Sequence, residues 1–258
     1  MDESSADFLN ALNKGFYEAH GASFSQTRQS PWPGWRRVLD TVVGCRQAGK
    51  GLSLCDIACG NGRFESFAAA FRPDIPWSFT LVDSNRQLLD EACRQEDLVP
   101  FEVTACRRDI LADSGAPFAP GAFDAAVSFG FLHHIPGAAA RGDFLRACLG
   151  AVRPGGVAAF SFWRFADDAS LAQRARASTE RGRAQLGIAL GEGDYLLGWQ
   201  GDESRYRYCH SFGDAELDAL VAAVQPQGRL IDRFRADGRT GALNEYLVFA
   251  AEPAAHSV

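Results

Sequence analysis

The segment at 52–63, LSLCDIACGNGR, constrains the fold more than any other part of this chain. An apolar strand pattern runs directly into a glycine-rich turn, and a helical pattern follows. Small residues at Ala58, Gly60 and Gly62 let the backbone approach a ligand closely. The acidic residue at the strand tip, Asp56, can accept a hydrogen bond from an ammonium group. The pattern therefore predicts a ligand site at a strand-to-helix turn.

A dinucleotide-binding fingerprint is the main alternative for this turn, because it also places glycines between a strand and a helix. It requires the pattern G-x-G-x-x-G, whose third glycine allows close helix packing. The third glycine is missing in the register that begins at Gly60, and Arg63 takes its position in the register that begins at Ala58. Neither register fits the fingerprint.

Strand patterns alternate with helical patterns along the middle of the chain, which is typical of a parallel sheet built from βαβ units. Further strands are predicted at 79–82, 101–106, 123–129 and 157–163, and helices at 64–71, 86–94 and 141–152. Helices are also predicted at 5–20 and 35–48, with an irregular connector between them. Near the end, Asp214 is the predicted cap of a helix, and strands at 230–235 and 246–251 form an antiparallel hairpin.

These patterns predict one α/β domain over 1–258 with a Rossmann-like, seven-stranded, mostly parallel sheet and a C-terminal antiparallel hairpin. The expected parts are an N-terminal helical cap at 1–48, a cofactor-binding core at 49–163, an insertion or lid after strand five at 164–211, and the end of the core at 212–253.

Polar residues follow the later strands at the edge where parallel strands end together. Asp83 lies 21 residues after Gly62 and can reach both ribose hydroxyls of a nucleoside, or cap the next helix. Asp109 ends the third strand and can accept from an adenine amino group, while Ile110 covers the ring. Ser128 and Phe129 fall at the end of the fourth strand, beside the expected crevice. Together these positions predict that a nucleoside binds at the carboxyl edge of the sheet.

Composition narrows the class of protein. The net charge of −6 gives no overall attraction to nucleic acid, although 24 of the 26 basic residues are arginines and only Lys14 and Lys50 are lysines. No apolar run reaches the roughly 20 residues of a membrane helix, and the acidic start MDESSADF does not resemble a secretory signal. Seven cysteines without CxxC spacing favour a reducing compartment, so we expect a cytoplasmic protein without a metal site.

Two adjacent histidines, His133 and His134, stand after the fourth strand. Adjacent side chains point in different directions on any regular element, so this is a poor metal pair. At least one of them is expected to be a packing residue. His134 is retained as a candidate catalytic residue.

Together, the residues Asp56 to Gly62, Asp83, Asp109 and the VRPGG run at 152–156 resemble the motif series of class I S-adenosylmethionine-dependent methyltransferases. The resemblance covers about residues 50–163, and it departs at Ala58, where the family often has glycine. It implies S-adenosylmethionine as the cofactor. The cofactor contacts it implies are at Asp56, Ala58, Gly60, Asn61, Gly62, Asp83, Ser84, Asp109, Ile110, Ser128 and Phe129.

A narrower resemblance lies upstream, in FYEAHGASFSQTRQSPWP at 16–33. It is similar to the N-terminal motif of the eukaryotic tRNA wobble-uridine carboxymethyl methyltransferases, including the methyltransferase domain attached to an AlkB-like hydroxylase. The matching positions are Tyr17, Phe24, Thr27, Arg28, Pro31, Trp32 and Pro33, with NGR, HHIP, LRACLGAVRPGG and Trp163 in the core. The resemblance implies esterification of a carboxymethyl group on a tRNA uridine, and it fades after Trp163.

A carboxylate acceptor is ionised at neutral pH and needs no general base, but it needs a cation or other donors to hold it. Arg28 is the candidate cation, and it could instead grip the methionine carboxylate of the cofactor. Trp163, at the end of strand five, either forms a wall of the acceptor pocket or packs in the core.

The acceptor is left open between two classes. One is tRNA, contacted by Arg174, Arg176, Arg181 and Arg183, although their spacing does not put all four on one helical face. The other is a small acid or metabolite, enclosed by a lid with the aromatic residues Tyr195, Trp199, Tyr206 and Tyr208. A cofactor-binding module without catalytic activity is the third hypothesis.

Overall fold

The computed structural model describes residues 2–27, 30–47, 49–112 and 118–253. The helices in these ranges are α1 (Glu3–Gln26), α2 (Pro33–Gly44), α3 (Arg63–Phe71), α4 (Arg86–Ala92), α5 (Ala138–Ala151), α6 (Ala169–Leu186) and α7 (Asp214–Val224). The strands are β1 (Leu52–Ile57), β2 (Trp77–Asp83), β3 (Glu102–Arg107), β4 (Phe123–Ser128), β5 (Val152–Trp163), β6 (Asp194–Trp199), β7 (Asp202–His210), β8 (Gly228–Ala236) and β9 (Asn244–Ala251).

Seven strands form the main sheet in the order β3-β2-β1-β4-β5-β9-β8. The first five pair in parallel, while β9 runs antiparallel to both β5 and β8. The strand order reverses between β1 and β4, which is where sheets of this kind bind ligands. The predicted fold class, a mostly parallel seven-stranded sheet ending in an antiparallel hairpin, is confirmed.

Helices cover both faces of the sheet, because its strands are apolar on both sides. One face packs against α2, α3 and α4, through side chains such as Trp35, Phe64 and Leu89. The other packs against α5 and α7, through Leu145 and Leu217 among others. This packing leaves the carboxyl ends of the parallel strands as the open edge of the core.

Several boundaries differ from the sequence-based expectation, among them those of α1, α2 and α7, and β5 begins at Val152 rather than at 157. Helix α1 continues to Gln26, through a segment predicted to be irregular. Within it, Gly21 packs closely on Asn85: a Cβ at this glycine would lie 3.1 Å from Nδ2 of Asn85. Helix α2 ends at Gly44 rather than near 48. The N-cap of α7 is Gly213, because the Asp214 side chain instead accepts a hydrogen bond from Arg164 at 2.7 Å.

The insertion after β5 consists of α6 and the hairpin β6–β7, which packs against the N-terminal helix. Leu9 of α1 shares an apolar cluster with residues of the hairpin: Leu196, Tyr206 and Tyr208. The indole N–H of Trp199 also donates to the hydroxyl of Ser23, at 3.2 Å. We call α1 and β6–β7 together the cap. No helix in the described ranges has both the length and the apolarity needed to span a membrane.

Candidate functional site

A cavity of about 700 Å³ lies at the carboxyl ends of the parallel strands, beneath α1. The ends of four neighbouring strands contribute to its wall, with Ala58 after β1, Asp83 at the end of β2, Phe129 after β4 and Trp163 at the end of β5 among the lining residues. The volume is that of a small-molecule or cofactor site, and its position is the crevice expected for an open α/β sheet.

The turn after β1 has three residues with positive φ: Ala58 at 64°, Gly60 at 59° and Gly62 at 74°. A Cβ at Gly62 would lie 2.9 Å from the Cβ of Ala92, so glycine is needed there for α3 and α4 to pack. At Gly60, which lines the cavity, a Cβ would meet no atom within 4 Å. The missing side chain at Gly60 therefore leaves room on the cavity side, while Gly62 serves the packing behind it.

Asp83 connects the second strand to this turn. Its Oδ2 accepts from the backbone N–H of Gly60 at 2.9 Å, and its Oδ1 accepts from that of Asn85 at 2.8 Å. The N-cap residue of α4 is not Asp83 but Asn85, whose Oδ1 accepts from the backbone N–H of Leu88. Burial raises the pKa of Asp83, although the backbone N–H groups oppose that shift. Since each carboxylate oxygen has two lone pairs, Asp83 can still accept from ligand hydroxyls.

The loop after β3 forms the next part of the wall. Asp109 and Ile110 both line the cavity, as does Ser84 after β2. The Asp109 carboxylate accepts from the N–H of Leu111 and lies 3.8 Å from the Lys14 ammonium of α1. This contact ties α1 to the edge of the cavity.

Asn61 joins the glycine turn to the end of α1. Its side-chain amide donates to the Ser25 hydroxyl at 2.8 Å, and its backbone carbonyl accepts from the side-chain amide of Gln95 at 2.9 Å. Both Asn61 and Ser25 line the cavity. Asn61 thus connects the glycine turn after β1 to helix α1, which forms the roof of the cavity.

Three predicted contact residues do not line the cavity. Gly62 packs behind the turn, and Ser128 is fully buried and donates to the carbonyl of Ile57 at 2.7 Å, which holds β4 to β1. Asp56 is 3% exposed beneath the turn, and its Oδ1 accepts no hydrogen bond from any described residue. In the structure these three residues support the turn from behind.

Glu65, which the sequence reasoning missed, is fully buried on α3. Within the described residues neither of its carboxylate oxygens has a hydrogen-bond partner. Burial raises the pKa of Glu65 to about 7. Burial, and then the neighbouring Glu65 carboxyl, raise the pKa of Asp56 well above its ordinary value. Behind the turn the protein therefore holds two acids that resist simultaneous ionisation.

Trp163 lines the cavity and also packs against core residues, while its predicted role in an acceptor pocket stays a prediction. Its ring centroid lies 5.0 Å from that of His133 and 4.4 Å from that of Phe165. Phe129, on the neighbouring strand end, packs edge-on against Phe64 at 4.9 Å. Aromatic rings thus form the wall at the β4 and β5 side of the cavity.

His134 lies in the 3₁₀ turn after β4 and is held by the cap. Its ring nitrogens face the hydroxyl of Tyr17 and the backbone carbonyl of Tyr208. Ligand atoms of His133, His134 and Cys209 all lie within 4.8 Å of one another, a grouping that the sequence does not reveal. A metal there would have to displace one of the two hydrogen bonds of His134.

Arg28 lies outside the described residues. Three arginines line the cavity instead, Arg63, Arg108 and Arg207. The Arg63 guanidinium lies over Trp35 at 5.3 Å and donates to the Ser30 carbonyl. The alternating RYRYCH run at 205–210 predicts that Arg207 and Cys209 lie on one face of a strand. The sequence does not show which face of that strand meets the cavity.

Helix α1 supplies much of the cavity wall, which the sequence did not predict either. Its polar lining residues are Asp7, Asn10, Asn13, Lys14, Tyr17, Glu18 and Ser25. Of the four aromatic residues expected in a lid, Trp199, Tyr206 and Tyr208 instead contact α1, and Tyr195 packs on Phe165. The hairpin contributes Arg207 to the wall.

A family model described as a methyltransferase domain matches residues 55–158. Relatives named tRNA (carboxymethyluridine(34)-5-O)-methyltransferase ALKBH8 are also similar. The one from Mus musculus is 28% identical over 166 residues, covering 63% of this chain and 22% of the relative. The one from Xenopus tropicalis is 30% identical over 147 residues, covering 57% of this chain and 20% of the relative. This chain spans about a fifth of the length of the curated relatives it matches.

Solved structures share the fold. A SAM-dependent methyltransferase from Methanosarcina mazei has a TM-score of 0.62 at 17% identity, over 83% of this chain and 97% of that chain. The N-methyltransferase NodS from Bradyrhizobium japonicum, solved with S-adenosyl-L-homocysteine, has a TM-score of 0.56 at 15% identity, over 94% of this chain and 98% of that chain.

Proposed function

We propose that this chain, whose residues 55–158 form a class I S-adenosylmethionine-dependent methyltransferase domain, transfers the methyl group to a carboxylate oxygen of its acceptor. The observation that carries the proposal is the hydrogen bonding of His134, the candidate base of the cavity. Both of its ring nitrogens are engaged by Tyr17 and Tyr208. An acceptor that needs no deprotonation suits such a site, and a carboxylate is the acceptor group that is already ionised at neutral pH.

The cofactor of this domain is S-adenosylmethionine, and the residues at the β1–β3 side of the cavity fit it. Gly60 leaves room for a ligand next to the backbone, and the fixed Asp83 carboxylate is suited to ribose hydroxyls. Asp109 and Ile110 offer an acceptor and an apolar contact to the adenine. The buried Asp56–Glu65 pair lies behind the turn, and ionisation of one of its two carboxyl groups would favour the cofactor ammonium group.

The cofactor supplies a methyl group that is already activated as a sulfonium. A carboxylate oxygen forms the new O–CH₃ bond while the S–CH₃ bond breaks and its electron pair stays on sulfur. One negative and one positive charge disappear, and no proton moves. The protein therefore has to align the acceptor with the methyl group and exclude water, which the aromatic wall at Phe129 and Trp163 and the roof formed by α1 support.

For the acceptor we favour a carboxymethyl group on a uridine of tRNA. The supporting observation is the similarity to relatives named for methylating carboxymethyluridine, which extends over 57–63% of this chain. A small carboxylic acid is the second candidate, because the net charge of −6 gives the chain no overall attraction to RNA and the cap covers the cavity.

The test is transfer of a tritiated methyl group from the cofactor to defined acceptors. They are an anticodon stem-loop with 5-carboxymethyluridine, the same RNA with unmodified uridine, and an extract of small carboxylic acids. Mild alkali distinguishes the bond formed, because a methyl ester releases volatile methanol and a methyl group on nitrogen or carbon does not. Alkali-labile label on the carboxymethyl RNA alone supports the favoured acceptor, and alkali-labile label in the extract supports the second. Alkali-stable label would contradict carboxylate methylation.

A further inference from the structure

Arg207 is a buried arginine in the wall of the cavity, on a strand of the insertion. Its side chain is 5% exposed, although arginine is among the residues least often buried. Its position on β7 places it on the cap, whereas the glycine turn belongs to the core. Arg207 therefore lies in the part of the cavity wall that the insertion forms.

The guanidinium of Arg207 lies over two aromatic rings. The Cζ atom lies 5.1 Å from the ring centroid of Phe16 on α1 and 5.4 Å from that of Trp199 on β6. Contacts of this kind use the positive charge of the group, and a guanidinium carries its N–H donors in its own plane. That plane matches a carboxylate, which can accept two parallel hydrogen bonds.

The strand places Arg207 on the same side as His134. Side chains alternate along β7, so Arg207 and Cys209 share a face. The Cys209 sulfur lies 3.8 Å from Nδ1 of His134. On the opposite face, Tyr208 and His210 reach Asp194 instead, at 2.6 and 2.7 Å. Arg207 therefore borders the end of the cavity that contains His134 and Tyr17.

We propose that Arg207 binds the carboxylate of the methyl acceptor and makes the enzyme select an ionised carboxylate over an uncharged group of the same shape. This inference rests on the proposed carboxylate methylation. A bidentate contact to one carboxylate holds the acceptor while the attacking oxygen uses its remaining lone pair. Because the ester product is neutral, the contact weakens as the product forms, which favours its release.

The experiment uses two anticodon stem-loops that differ by one group, 5-carboxymethyluridine and the uncharged 5-carbamoylmethyluridine. Binding to each is measured with saturating S-adenosylhomocysteine, for the wild type and for Arg207→Lys and Arg207→Gln. Arg205→Lys, an exposed position on the same strand, is the matched control. We expect the wild type to prefer the carboxymethyl RNA and Arg207→Lys to bind it about 10- to 100-fold more weakly, with the preference lost. Affinity for S-adenosylhomocysteine and the Tm should stay close to wild type in Arg207→Lys.

The outcomes separate this inference from the proposed function. Methylation of the carboxymethyl RNA with its preference intact in Arg207→Lys would overturn the role of Arg207 and leave the function standing. An equal loss of cofactor affinity would assign Arg207 to the cofactor carboxylate and also overturn it. If the wild type binds neither RNA, the same comparison is made with 5-carboxymethyluracil and its amide. Equal binding of that pair by the wild type overturns the inference whatever the variants do, whereas a preference lost in Arg207→Lys supports it without the RNA acceptor.

Discussion

The hydroxyl oxygen of Tyr17 lies 2.7 Å from Nε2 of His134, and Nδ1 of the same ring lies 2.9 Å from the carbonyl of Tyr208. A carbonyl only accepts, so Nδ1 carries a proton, and in the neutral ring Nε2 accepts from the Tyr17 hydroxyl. The carbonyl of Tyr208 on β7 thus fixes the tautomer of this cavity-lining histidine, and Tyr17 of helix α1 engages its other nitrogen. The arrangement positions a ring and does not present a free basic nitrogen to an acceptor.

Tyr17→Phe removes the donor to His134 while keeping the ring. We expect a loss of about 1–2 kcal/mol of folding stability, because a buried nitrogen loses its hydrogen-bond partner. We also expect the methylation rate to stay independent of pH across the range in which a free histidine titrates, in both the wild type and the variant. Urea unfolding and a pH–rate profile measure the two effects. An acid limb that disappears in His134→Gln would identify His134 as a base and contradict the carboxylate acceptor.

Asp83→Asn tests the connection between the second strand and the glycine turn. One oxygen is kept, but the charge and one of the acceptors for Gly60 and Asn85 are lost. We expect affinity for S-adenosylhomocysteine to fall by about tenfold or more, as for loss of a hydrogen bond to a charged group. Calorimetry gives the affinity, and Asp90→Asn, at an exposed acid of α4 outside the cavity lining, is the control. Equal affinities in the wild type and Asp83→Asn would remove the ribose role.

The pair of buried acids makes the stability of the ligand-free protein depend on pH. The pKa of Glu65 in the folded protein is raised to about 7, above its ordinary 4.5, so the folded state holds a proton that the unfolded chain releases. Glu65 therefore accounts for a loss of stability of roughly 3 kcal/mol as the pH rises from about 4.5 to about 7, and the raised pKa of Asp56 extends the loss to higher pH.

Glu65→Gln should reduce that loss, and saturating S-adenosylhomocysteine, whose ammonium compensates the charge, should reduce it in the wild type. Urea unfolding at pH 5 and pH 8, with and without ligand, measures each effect. Asp97→Asn, an exposed acid next to the same helix, is the control. Identical pH dependence in the wild type and Glu65→Gln would show that Glu65 does not hold the proton.

The sequence predicted the part of the site that is formed by residues at the ends of the parallel strands. The strand tip at Asp56, the turn at Gly60 and the carboxylate at Asp83 are neighbours because parallel strands end at one edge, which periodicity alone predicts. Arg207 and Tyr17 could not be placed in this way. They reach the cavity because α1 and the β6–β7 hairpin pack on each other, and that contact joins segments almost 200 residues apart. Glu65 escaped notice because a helix pattern does not show that its polar residue faces the core.

A second prediction of pH dependence concerns the attachment of the hairpin to the core. His210 on β7 lies 2.7 Å from Asp194 and 2.6 Å from Glu216 of α7, and Glu216 also pairs with Arg141 of α5. Burial alone would lower the pKa of His210, but its hydrogen bonds to Asp194 and Glu216 outweigh burial and raise that pKa above 6.5. The Tyr208 hydroxyl donates to the same Asp194 oxygen. The imidazolium is thus part of a charge-balanced, buried network.

Because this pKa is raised on folding, its stabilisation is fully present below about pH 6.5 and is lost as the pH rises through the folded value. His210→Gln should cost about 3 kcal/mol at pH 6, since two carboxylates lose a buried cation, and the cost should shrink at higher pH. Urea unfolding of the two proteins from pH 6 to pH 9 tests this. Asp194 and Glu216 have lowered pKa values and stay ionised throughout that range, so they do not mask the difference. A cost that does not change with pH would mean that His210 is neutral in the folded protein.

Asn13 joins the roof of the cavity to the core. Its Oδ1 accepts from the backbone N–H of Tyr208 at 2.7 Å, and its Nδ2 donates to the backbone carbonyl of His134 at 3.2 Å, while the residue is 7% exposed. Asn13→Ala leaves two buried backbone groups without partners, which costs about 1–3 kcal/mol each. If α1 is the roof that must close for catalysis, this loss should appear as local opening of α1 before global unfolding.

Limited proteolysis therefore should cut within residues 3–26 faster in Asn13→Ala than in the wild type, with protection restored by S-adenosylhomocysteine. Hydrogen exchange along α1 gives the same information without cleavage. Asn10→Ala, one turn earlier on the same helix and half-buried, is the matched control, and we expect little change from it. If the two variants behave alike, or if cofactor gives no protection, α1 is a fixed wall of the cavity. In that case the acceptor would have to enter by another part of the cap, and the hairpin that carries Arg207 would be the next segment to probe in the same way.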